Sequence, residues 1–62
     1  MIKNEMIKDG RIVNELMTLI DCAEGIIEVY QRDGAIHASY LHEKTSTIEY
    51  ISRWLKAICE EE

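Results

Sequence analysis

Residues 26–41 read Ile26-Ile27-Glu28-Val29-Tyr30-Gln31-Arg32-Asp33-Gly34-Ala35-Ile36-His37-Ala38-Ser39-Tyr40-Leu41, and the fold class turns on them. An Asp-Gly pair stands between two runs rich in β-branched and aromatic residues, the strongest short-range signal for a β-hairpin. With Asp33 and Gly34 at the centre of a type I′ turn, Arg32 pairs with Ala35, Tyr30 with His37 and Ile27 with Tyr40. Alternation then puts Ile27, Val29, Ile36, Ala38 and Tyr40 on one face. Glu28, Tyr30, Arg32, His37 and Ser39 take the other. The first face is apolar and the second polar, and a one-residue slip in either strand would mix them.

A helical reading competes. A heptad-like stripe runs Val13, Leu16, Ile20, Ala23, Ile27, Tyr30 and can be stretched to His37 and Leu41. It has to pass through Gly25, Asp33 and Gly34, and two glycines in helix interiors cost about 2 kcal/mol relative to alanine. The hairpin is therefore the expected element, with an all-α helical hairpin as the alternative.

The flanks read as helices. Ile12, Val13, Leu16, Leu19, Ile20 and Ala23 recur at helical spacing over residues 11–24, and Gly25 stands where a helix would end in the left-handed conformation. Asp9 is placed to cap its start. Downstream, Ser46 and Glu49 have capping-box spacing, and Ile48, Ile51, Leu55 and Ile58 follow as a core-facing stripe. Glu49 and Arg53 form an i, i+4 pair in the favourable order. Glu60, Glu61 and Glu62 oppose the negative end of the helix dipole, so the last turn should fray. The expected architecture is one α+β domain over residues 1–62, ordered helix, two-stranded hairpin, helix. Residues 1–9 read as a flexible arm or a short extra helix.

Sixty-two residues without phenylalanine make a thin core. A chain of this size buries only about 60% of its unfolded surface, and small domains close the deficit with disulfides, a metal or oligomerisation. The two cysteines, Cys22 and Cys59, come without a dense cysteine framework, a signal peptide or an apolar membrane-spanning run. They read as reduced thiols in a cytoplasmic protein. Cys22, His37, His42 and Cys59 are zinc-ligand types, but no close cysteine pair nucleates a site, and the hairpin register puts His37 on the polar face. No metal and no cofactor are expected. Oligomerisation remains: a two-stranded sheet leaves two open edges, and Tyr50 and Trp54 form an i, i+4 aromatic pair displaced from the second helix's stripe. A homodimer is the expected state.

No phosphate loop, nucleophile elbow, zinc-protease helix or carboxylate pair points to catalysis, so the chain is read as no enzyme. Twelve acidic against seven basic residues give a net charge of −5, which disfavours direct nucleic-acid binding. An acidic surface of this kind suits a basic protein partner, with a mimic of nucleic acid as the sharper version and plain solubility as the blander one. In size, acidity and lack of catalytic residues the chain resembles the small proteins with which phages and mobile elements inhibit host enzymes or defence systems. That likeness is of overall character and carries no site residue across. The expected function is a small acidic interaction module that inhibits or regulates a partner protein. Tyr30, Arg32 and His37 on the polar sheet face, with Tyr50 and Trp54 at an interface, are its expected contact residues. The alternatives are a small-ligand or nucleotide-binding dimer with an intersubunit pocket, and a structural component of a larger assembly.

Overall fold

The computed structural model describes residues 5–60. They form two helices, α1 (Arg11–Asp33) and α2 (Ala38–Cys59), with no strand among the described residues. The expected α+β hairpin does not form; the chain is the all-α helical hairpin. The Asp33-Gly34 pair is punctuation of another kind. Gly34 adopts φ +73° and ψ 5°, and its N–H donates to the Tyr30 carbonyl at 2.8 Å. A left-handed residue closing a single bond of this kind ends an α-helix, and glycine meets the requirement at no steric cost. Gly34 to His37 make the connection, and His37, extended at φ −65° and ψ 135°, starts α2 without a side-chain cap.

Gly25 does not stop α1. It lies in the helix interior, where a Cβ would come 3.1 Å from the Tyr40 hydroxyl. The missing side chain makes room for an aromatic from α2. Ser46 and Glu49 likewise form no capping box, because α2 begins at Ala38 and carries both in its interior. Thr45 and Thr47 donate their hydroxyls back to the Leu41 and Glu43 carbonyls, the local bonding such residues use inside helices. The Glu49–Arg53 pair forms as expected, at 3.0 Å.

Burial follows a heptad on both helices, broadened on α2. On α1, Ile12, Glu15, Leu19, Cys22, Ile26 and Val29 are shielded, spaced 3-4-3-4-3, with Ala23 and Gly25 half-buried beside them. On α2, Tyr40, Lys44, Thr47, Ile51, Trp54 and Ile58 repeat the pattern as 4-3-4-3-4, and Ile48, Ser52, Leu55 and Cys59 are half-buried as well. These are the seams of two antiparallel helices packed as in a coiled coil. Cys22 and Ile51 are the buried side chains among the described residues, and both cysteines are free thiols.

The start of α1 is held by charge. Gly10 already has helical angles, φ −64° and ψ −17°, and the Asp9 carboxylate accepts the Arg11 backbone N–H at 2.9 Å. Asp9 therefore serves as the expected cap. The same carboxylate takes the Arg11 guanidinium at 2.6 Å, and that guanidinium lies 5.2 Å from the centre of the Trp54 ring. Residues 5–9 form no extra helix, and residues 1–4 lie outside the described residues, as do Glu61 and Glu62, where most of the expected fraying falls.

The Arg11 hydrogen bonds hold the Asp9 carboxyl down to about 2, from 3.8. A depressed folded-state pKa contributes stability that is present above the unfolded value and lost as pH falls through the folded one. Lowering the pH from 4 to 2 should loosen the first turn of α1. The Arg11 amide shift should titrate with a midpoint near 2, and a midpoint near 4 would mean the cap does not form in solution.

Candidate functional site

The structure scatters the residues expected to make a binding face. Tyr30 and Arg32 are two positions apart on a helix, which turns them about 200° from each other. Tyr30 is exposed, while Arg32 is tied to Asp33 at 3.0 Å, a pairing that lowers the Asp33 pKa through the guanidinium's hydrogen bond. His37 sits in the connection. The polar sheet face that was to unite these three residues does not exist. Tyr50 and Trp54 also part company. Trp54 is a seam residue under Arg11, whereas Tyr50 remains 68% exposed.

A different surface takes their place. Advancing each seam by one residue gives a second stripe of the same spacing. On α1 it is Val13, Leu16, Ile20, Ala23, Ile27 and Tyr30, the stripe the helical reading picks out in the sequence. On α2 it is Leu41, Thr45, Ile48, Ser52, Leu55 and Cys59. One residue is a rotation of about 100°, and in an antiparallel pair that rotation leans toward the same side of the hairpin on both helices. The two stripes therefore share one broad face, with no charged residue at any of its twelve positions. Val13, Ile20 and Ile27 are half or more exposed there, and Leu16 and Leu41 are also open to solvent. Small side chains, Ala23 and Ser52, occupy its middle, beside the buried Cys22 and Ile51.

The charges lie elsewhere. Asp21, Glu24 and Glu28 line an open depression on α1 with Arg32, and a second depression lies between residues 5–9 and the end of α2 around Trp54. Both are open to solvent. Cys22 is in the seam, His37 in the connection and His42 exposed on α2, so the elements keep these zinc-ligand types apart. Among the described residues no three His, Cys, Asp or Glu side chains gather as a metal site. No described helix is long and apolar enough to cross a membrane.

No protein-family model, curated protein or solved structure matches the chain. The reading of function rests on the surface itself.

Proposed function

We propose that this chain works without catalysis, as a helical-hairpin interaction module and structural component of a larger protein assembly. One observation carries the reading: a charge-free stripe leaves Val13, Leu16, Ile20, Ile27 and Tyr30 exposed along α1, and its continuation on α2 is open at Leu41 and half-buried from Ile48 to Cys59. Contiguous apolar surface of this extent on a small chain marks a site that another protein covers. The acidic residues lie off this face, where they keep the remaining surface solvated. A role as inhibitor of a host enzyme has only size and acidity behind it, and the structure supplies no convergent contact residues for it.

Photo-crosslinking in cells that express the chain tests the reading. A benzophenone side chain at position 20, on the open face, should capture protein. The same group at position 46, exposed on α2 away from that face, should not. Equal capture at both positions, or none at position 20, would refute it.

A further inference from the structure

We infer that the occupant of this face is a second copy of the chain, the two hairpins closing a four-helix bundle. The inference rests on the interaction-module reading and names its partner. Three observations select a second copy over a foreign protein.

The first is the pattern. A helix in a two-helix hairpin needs one apolar seam, whereas a helix in a four-helix bundle touches two neighbours and needs two. α1 carries a second stripe one residue past its seam that stays largely exposed, and α2 carries the matching stripe, open at Leu41 and half-buried from Ile48 onward. The side chains that a second hairpin would cover are thus set in the geometry that this hairpin already uses for itself. The helices are also matched in length, at 23 and 22 residues, so two copies stack without overhang.

The second is area. The described hairpin is slender, 44 × 18 × 14 Å, with 5233 Å² exposed. The open face, about 33 Å long and as wide as the helix pair, presents about 600 Å² of projected surface. Two such faces reach the range of about 1,200–2,000 Å² that stable dimers bury.

The third is charge. Each copy carries −5, so two copies repel wherever their charges meet. The stripe positions are the part of the helices where no charges would be brought together. A foreign partner chosen by an acidic module would be expected to meet complementary charge, and the face offers none. The small residues Ala23 and Ser52 at its middle let two copies approach closely, while Ile20, Ile27, Ile48 and Leu55 pack around them. An isologous contact uses one patch on both copies, and this face is one continuous charge-free patch.

Sedimentation equilibrium of the full chain at micromolar concentration should give twice 7.2 kDa. The melting temperature should rise with protein concentration, as it must when folding is linked to association. Ile20→Lys should lower the dimer affinity by at least 100-fold, although Ile20 is 50% exposed in the single hairpin. Tyr50→Lys, an equally drastic change at the more exposed Tyr50, should leave the dimer intact. If Ile20→Lys fails to fold, the dilution series on the unaltered chain still decides. A monomer at 100 µM with a concentration-independent melt, or a dimer that survives Ile20→Lys, would overturn the inference. A monomer that is crosslinked through position 20 to a different protein would overturn the second copy and leave the interaction reading standing. A monomer that captures nothing through position 20 would overturn both.

Discussion

Replacing Ile51 by alanine should cost the folded chain about 2–5 kcal/mol, the range for truncating a buried isoleucine or leucine whose surroundings cannot collapse into the space. Ile51 is 2% exposed at the midpoint of the α2 seam, and Cys22 is the one other buried side chain among the described residues. A chain of 62 residues has a total stability of about 3–9 kcal/mol, so this single truncation removes a large share of it. Few other contacts can absorb the loss, because the remaining seam positions are only half-buried. Urea unfolding followed by helical circular dichroism should show the midpoint falling steeply. Tyr50→Ala, one position earlier but exposed, should move it by no more than about 0.5 kcal/mol. The comparison has to be made at one protein concentration, since association would add to the apparent stability of both. Similar midpoints for the two variants would show that Ile51 does not anchor the hairpin.

The same two-helix frame explains which parts of the fold were legible in the sequence. Ile48, Ile51, Leu55 and Ile58 read directly as the core-facing stripe of α2, and there Ile51 is buried and the other three are half-buried. The stripe Val13, Leu16, Ile20, Ala23, Ile27, Tyr30 was equally legible as a helical face, yet it is the open one, and the buried seam lies one residue before it. Periodicity finds the apolar sector of a helix; where that sector is wide enough for two neighbours, it does not say which half the chain itself covers. α1 has such a sector, and the seam half includes the polar Glu15, which weakens its signal relative to the outer half.

The hairpin expectation failed for a related reason. Alternation over residues 27–40 satisfied a β register, but Ile26 and Val29 also complete the α1 seam, and Tyr40 opens that of α2. A continuous α1 buries those residues against a second helix along six heptad positions, whereas the two-stranded sheet would have left its edges unpaired. Tertiary packing outweighs the cost of an interior Gly25, about 1 kcal/mol against alanine. The fit of Tyr40 over that glycine is a long-range contact, invisible to any local pattern. The candidate site fell with the sheet: Tyr30, Arg32 and His37 shared a face only in the strand register. Its replacement was present in the sequence throughout, as the helical stripe that the glycines had argued against.

Gly34 is left-handed both as a helix terminator and in a type I′ turn, so its substitutions test the left-handed backbone, and Asp33 separates the two readings of the Asp-Gly pair. Gly34→Val should destabilise the hairpin by at least about 1–2 kcal/mol, because an L-residue in the left-handed region brings its Cβ against the following carbonyl and a β-branched one is least tolerant. Nothing lies within 4 Å of a Cβ built at Gly34, so the loss would come from backbone conformation and not from crowding. Gly34→Asn should cost less, since asparagine enters this region more readily and serves as a helix terminator. A D-alanine at position 34 should raise the melting temperature above that of the parent chain, because it prefers positive φ and narrows the unfolded ensemble. Asp33→Ala completes the argument. A type I′ turn requires positive φ at both central residues and would suffer at position 33, whereas in the hairpin of helices Asp33 is the last residue of α1 and only its exposed pairing with Arg32 is lost. A penalty at position 33 as large as that of Gly34→Val would point to the type I′ turn, whereas a small loss there beside the order Val below Asn below glycine below D-alanine at position 34 is what a left-handed helix terminator demands.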